Sequence, residues 1–103
     1  MRIWLDDVRP MPAEWDVWLR TAEQAILAIK LGGVTAISLD HDLGDESAKT
    51  GYDVAKFIEE GAFKDTIAPI EIYVHTANAA GRQNIIRSIR KAEKFWHERL
   101  TRT

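Results

Sequence analysis

The sequence predicts an α/β domain: a three-layer, open parallel sheet of about four strands in the order 2-1-3-4, followed by a long C-terminal amphipathic helix. Short apolar runs alternate along the chain with segments of helical periodicity, the rhythm of parallel strands joined by right-handed crossovers. Two of those runs end in acidic clusters, Asp6-Asp7 and Asp40-His41-Asp42, and a third ends in His75-Thr76-Ala77-Asn78. Open parallel sheets bind ligands beyond the carboxyl ends of their strands, where the strand order reverses. In the order 2-1-3-4 that point lies between the first and third strands, where the two acidic clusters stand.

Arg2 to Leu5 is apolar on both faces, as a strand covered on both sides must be. Pro10 and Pro12 forbid a regular helix between Asp7 and Trp15 and predict an irregular loop over the crevice. A short second strand is expected at Asp16 to Arg20. Thr21 with Gln24 forms a capping box, and Ala22, Ala25, Ile26 and Ile29 keep helical spacing until Gly32-Gly33 stops the helix. Val34 to Asp40 is the third strand, and Gly44 to Lys49 a polar loop. A helix starts at Gly51 with Val54, Phe57 and Ile58 on one face, and Gly61 is expected past its end. Ile70 to His75, β-branched and preceded by Pro69, is the fourth strand. From about Gly81 to Leu100, Ile85, Ile89, Ala92, Trp96 and Leu100 form one stripe and Arg87, Lys91 and Lys94 another.

A chain of 103 residues builds one domain. No apolar run approaches the roughly 20 residues that cross a bilayer, and the first residues lack a secretory pattern. The absence of cysteine excludes disulfides and thiolate metal sites. A cytoplasmic protein without a membrane partner is the expectation. The net charge of −2 conceals an asymmetry, because residues 82–102 carry seven of the fourteen Lys and Arg and two acids. That basic segment suits a partner with anionic groups, such as a nucleotide or RNA, or is simply a solvated helix face.

Carboxylates crowded at neighbouring strand ends repel one another unless a cation or proton joins them. Asp6, Asp7 and Asp40, with Asp42 as a further candidate, therefore read as a site for a divalent metal, Mg²⁺ or Mn²⁺. Each residue has a plainer reading as well. Asp6 or Asp7 can cap the following turn, Asp42 can be a solvated loop residue, Asn78 a helix cap, and His75 a hydrogen-bonded core histidine. His97 reads as a surface residue, and Trp4 and Trp96 as core. Trp15 and Trp18 fit either the core or a stacking surface for a base.

In order along the chain, Asp6-Asp7, Asp40-His-Asp-Leu43 with Gly51, and Thr76-Ala77 resemble the acidic pair, the phosphoacceptor segment and the Thr/Ser-Ala of response-regulator receiver domains. The resemblance implies a receiver/flavodoxin-like sheet and spans nearly the whole chain. The pattern departs from ordinary receivers in three ways. The fifth strand with its phosphate-contacting Lys is missing, a Pro-containing loop with Arg9 replaces the first helix, and His41 and His75 have no receiver counterpart. Leu5-Asp-Asp-x-Arg9, Ser38-Leu-Asp-His-Asp-Leu-Gly44, Gly51-Tyr-Asp and Val74-His-x-Ala-Asn78 with Gly81 are similar to the cyclic-phosphate-processing receiver-like domain.

That resemblance implies hydrolysis or binding of cyclic phosphate on nucleotides or RNA ends. His41 and His75, with Asp40, are the expected catalytic groups, since unperturbed imidazoles titrate near pH 6.5. Direct ligation by either histidine would tilt the metal towards Mn²⁺ or Zn²⁺, and the sequence leaves the ligand and acid–base readings open. Thr76, Asn78, Arg9 and Arg82 are the expected phosphate-binding residues, beside the start of the last helix. A phosphoesterase is the leading expectation. A non-catalytic module that sequesters a nucleotide and a degenerate phosphoacceptor receiver are the alternatives. The missing fifth strand leaves the fourth near a sheet edge, which either the long last helix or the second subunit of a homodimer would cover.

Overall fold

The computed structural model describes residues 1–102. Its elements are β1 (Arg2–Leu5), β2 (Val17–Leu19), α1 (Ala22–Leu31), β3 (Ala36–Leu39), α2 (Gly51–Lys64), β4 (Glu71–Val74) and α3 (Ala79–Leu100). The sheet runs β2-β1-β3-β4 with every pairing parallel, as predicted. The strands are shorter than the apolar runs, yet the ladder reaches one bond beyond them. Asp40 N–H donates to the Leu5 carbonyl at 3.1 Å and His75 N–H to the Leu39 carbonyl at 3.0 Å. Those bonds fix the backbone of both residues at the carboxyl edge of the sheet.

The capping box of α1 is formed: Thr21 Oγ1 accepts from Gln24 N–H, and Gln24 Oε1 accepts from Thr21 N–H, both at 3.2 Å. α2 corrects one expectation. Gly61 lies inside the helix, buried against the Ile67 side chain, and the helix stops at Asp65 in the left-handed conformation with φ 61°. A helix–loop contact, not a terminating turn, selects glycine there. α3 begins at Ala79, two residues earlier than the expected start at Gly81, because Asn78 caps it, Oδ1 accepting from Gly81 N–H at 2.8 Å.

Strand register assigns each side chain to a face. Ile3, Leu5, Ile37 and Leu39 point to one face and are fully buried beneath all three helices. Trp4, Ala36 and Ser38 point to the other, where Trp15, Met11 and Trp18 pack from the loop and from β2. Chain direction explains the split. β2 lies on one side of β1 and β3 on the other, so right-handed crossovers put the β1–β2 connection on the face opposite α1 and α2. That connection is the proline-containing loop, so the third layer is a loop with a tryptophan cluster. The loop is pinned where Trp4 Nε1–H donates to the Arg9 carbonyl at 3.0 Å.

Candidate functional site

Asp6 and Asp7 follow β1 and Asp40 follows β3, and each offers a carboxylate oxygen within 4.8 Å of the other two. Asp6 and Asp40 are 1% and 8% exposed, and Asp7 is half-buried. Asp6 Oδ1 caps the following turn, accepting from Val8 N–H at 2.8 Å and Arg9 N–H at 2.9 Å. Asp40 Oδ1 accepts from His41 N–H at 2.8 Å. The capping reading is therefore correct, and the carboxylates converge all the same. Arg9 Nη1 stands 3.6 Å from Asp6 Oδ2 and 4.0 Å from Asp40 Oδ1 while donating to the His75 carbonyl at 2.7 Å.

Two carboxylates at such a separation repel by on the order of 3 kcal/mol at an effective dielectric near 20. One guanidinium cannot offset three of them, and an all-oxygen set of this kind suits a hard divalent cation. Gly44 allows the third carboxylate its place. Its φ is 72°, and a Cβ there would stand 2.6 Å from Asp7 Oδ2.

His75 has both ring nitrogens engaged. Nε2 lies 2.9 Å from Asp6 Oδ2, Nδ1 lies 2.7 Å from Ser38 Oγ, and the ring stacks on Trp4 at a centroid distance of 3.8 Å. Burial lowers its pKa, with the Asp6 and Asp40 carboxylates opposing. The neutral ring satisfies both contacts in one tautomer, Nε2–H donating to Asp6 and Nδ1 accepting from Ser38. His41 differs. Its Nδ1 lies 2.8 Å from Asp42 Oδ1, and Nε2 has no hydrogen-bond partner among the described residues. His41 first, and Asn78 second, hold the Asp42 carboxyl below its ordinary range. The His41 ring lies against α3 where a Cβ on Gly81 would meet its Cγ at 2.4 Å, so that contact requires glycine.

A family model described as the cyclic-phosphate processing receiver domain matches residues 1–91. The chain belongs to this family. A search of curated proteins and of solved structures found no match. The match covers all four strands and the first half of α3, so every residue of the acidic crevice lies inside it.

In this receiver-like domain, Asp6, Asp7, Arg9, Asp40, Asp42, Thr76 and Asn78 line a single cleft of about 330 Å³. Thr76 Oγ1 accepts from Asn78 N–H at 3.2 Å, and Asn78 Nδ2–H donates to Asp42 Oδ2 at 3.2 Å. Asp42 is mostly exposed and engaged by His41 and Asn78, outside the trio of converging carboxylates. His41 and His75 adjoin these residues in the chain or across the sheet and are not among those that line the cleft. Arg82, on the first turn of α3, donates to the Val74 carbonyl at 3.3 Å and does not line the cleft. A larger hollow, about 530 Å³, lies at the opposite end of the sheet among Arg2, Ile70, Glu71, Trp96 and Leu100, away from the carboxylates.

Sequence reasoning read Trp4 as core and Trp18 as core or a stacking surface, and it did not see that these two and Ser38 support the site. Ser38 anchors His75, Trp4 stacks on it, and Trp18 Nε1–H donates to the Asp6 carbonyl at 2.7 Å. Ser38 carried a signal, a hydroxyl inside an otherwise apolar strand, since buried polar groups have partners. Among the described residues no buried side-chain nitrogen or oxygen lacks one.

Proposed function

We propose that this receiver-like domain is a divalent-cation-dependent phosphoesterase that opens cyclic phosphate on a nucleotide or an RNA end. The observation that carries the reading is the convergence of Asp6, Asp7 and Asp40 with Arg9 in one cleft bounded by Thr76 and Asn78. Asp6, Asp7 and Asp40 would hold Mg²⁺ or Mn²⁺, which would supply Lewis-acid polarisation of a phosphoryl oxygen. Arg9, half-exposed, turns its remaining N–H groups to the phosphate. The Thr76 hydroxyl, the Asn78 amide and the N–H groups of the first turn of α3 hold the other oxygens.

In the overall reaction a water oxygen bonds to phosphorus, the bond from phosphorus to one sugar oxygen breaks, and that oxygen gains a proton while the water loses one. We assign the proton transfer to His41, a neighbour of the cleft residues Asp40 and Asp42. Its Nδ1–H donates to Asp42, which leaves Nε2 as the base in the neutral ring. His75 holds Asp6 in place instead, because both of its ring nitrogens are already engaged, one by Asp6 and one by Ser38.

The test is incubation with a short RNA ending in a 2′,3′-cyclic phosphate, with Mg²⁺ or Mn²⁺ and separately with EDTA, reading the terminus by mass. A cation-dependent gain of one water is expected, and an unchanged terminus would remove the phosphoesterase reading. One observation favours a second reading, a module that sequesters the ligand. A single histidine with an unoccupied nitrogen must both take and return the proton. Recovery of tightly bound, intact ligand would select that reading.

A further inference from the structure

We infer that a second hollow, next to the acidic cleft, seats the nucleoside attached to the cyclic phosphate, with the Arg20 guanidinium as the platform for its base. The inference rests on the cyclic-phosphate reading above. The hollow measures about 320 Å³ and is lined by Asp7, Arg20, Leu43, Gly44, Asp45 and Glu46. It shares Asp7 and Gly44 with the acidic cleft, so a group bonded to a phosphate in one reaches directly into the other. Its size is at the small end of ligand pockets, roughly 300–1,000 Å³. One nucleoside is the scale of occupant it accepts.

Arg20 is held over the Trp18 ring and left available. Its guanidinium lies 4.0 Å from the Trp18 ring centroid, and Nη1–H donates to the Asp7 carbonyl at 3.1 Å. The residue is exposed and makes no ion pair among the described residues. A guanidinium stacked on an indole is a ready plane for a nucleobase, as arginine planes are in RNA recognition. The remaining charge in the hollow decides what enters with the base. Asp45 and Glu46 are exposed carboxylates beside Asp7, so an additional phosphate is repelled, whereas sugar hydroxyls and exocyclic amino groups donate to them. The occupant is an uncharged, donor-rich nucleoside, not the next phosphate of a polynucleotide.

Two probes separate this inference from the reading on which it rests: adenosine 2′,3′-cyclic phosphate and ethylene phosphate, which keeps the five-membered cyclic phosphate and lacks the nucleoside. Each is titrated in the cold with Mg²⁺ into the wild-type protein and the Arg20→Ala variant, following the Trp18 indole N–H resonance and the affinity. The nucleotide should bind roughly 10-fold tighter than ethylene phosphate, a stacking-sized gain, and shift the Trp18 resonance. Arg20→Ala should erase that advantage and leave ethylene phosphate unchanged, and Arg20→Lys, which keeps the charge without the plane, should behave like alanine. Equal affinities for the two probes, or an equal loss for both in Arg20→Ala, would overturn the nucleoside seat while keeping the cyclic-phosphate site. Binding of neither probe by the wild type would overturn both.

Discussion

The two faces of the sheet are built from different materials. Beneath the helices, Ile3, Leu5, Ile37 and Leu39 are fully buried aliphatics whose worth is measured in apolar area. Beneath the loop, Trp4, Ser38 and His75 form a chain of stacked and hydrogen-bonded groups that ends on the Asp6 carboxylate. The helical face can thus lose a methyl group without moving the site. The loop face holds the carboxylates through directional contacts, where small changes alter geometry before they alter stability.

The largest effects should separate chemistry from both faces. His41→Gln should lower turnover by roughly 10²–10⁴-fold, the usual contribution of a general acid–base group, with cation binding unchanged. Retained turnover would exclude His41 from proton transfer. On the helical face, Leu39→Ala should cost about 2–5 kcal/mol of stability in a urea titration, while cation affinity of the folded protein holds. A parallel loss of affinity would mean that the faces are coupled.

On the loop face the pattern should reverse. His75→Ala removes the group that holds Asp6, and cation affinity should drop by roughly 10–100-fold, as for other partners of metal ligands, with turnover recovering at saturating cation. Turnover that stays abolished at saturating cation would return His75 to the chemistry. Ser38→Ala should weaken cation binding in the same direction and by less, because Trp4 still stacks on the ring.

The smallest effect belongs to the cap of α2 and depends on pH. The Thr50 backbone N–H, and to a lesser degree Lys56, hold the Asp53 carboxyl below its ordinary range. A carboxyl lowered on folding stabilises the fold above its unfolded pKa and loses that contribution as pH falls through the folded value. Asp53→Asn should therefore cost about 1 kcal/mol at neutral pH, with the gap to wild type closing below about pH 4. A gap that persists in acid would assign the cost to the amide itself.

The sheet order, the strand ends and the convergence of Asp6, Asp7 and Asp40 were legible in the sequence because apolar runs and acidic clusters are local signals. The contacts of the histidines were not. His41 and His75 follow strand ends with similar neighbours, and what separates them is which atoms lie across the sheet: Ser38 on the adjacent strand for one, the start of α3 for the other. Gly61 misled for the same reason, since a terminating glycine and one that admits Ile67 read alike along the chain. The contacts of Arg20 depended on register, which sets β2 beside β1 and turns Trp18 towards Asp6.

The Asp7–Trp15 connection is the cheapest part of the domain to rewrite. It packs on the sheet through a few tryptophan contacts and bonds such as Trp4 to the Arg9 carbonyl. Doubling a flexible loop costs only about 0.6 kcal/mol in closure entropy. Insertions between Pro10 and Glu14 would lengthen the loop beyond Arg9, the last cleft-lining residue it carries, while the helical layer carries the stability, so that segment is the first to vary in changing what approaches the cleft.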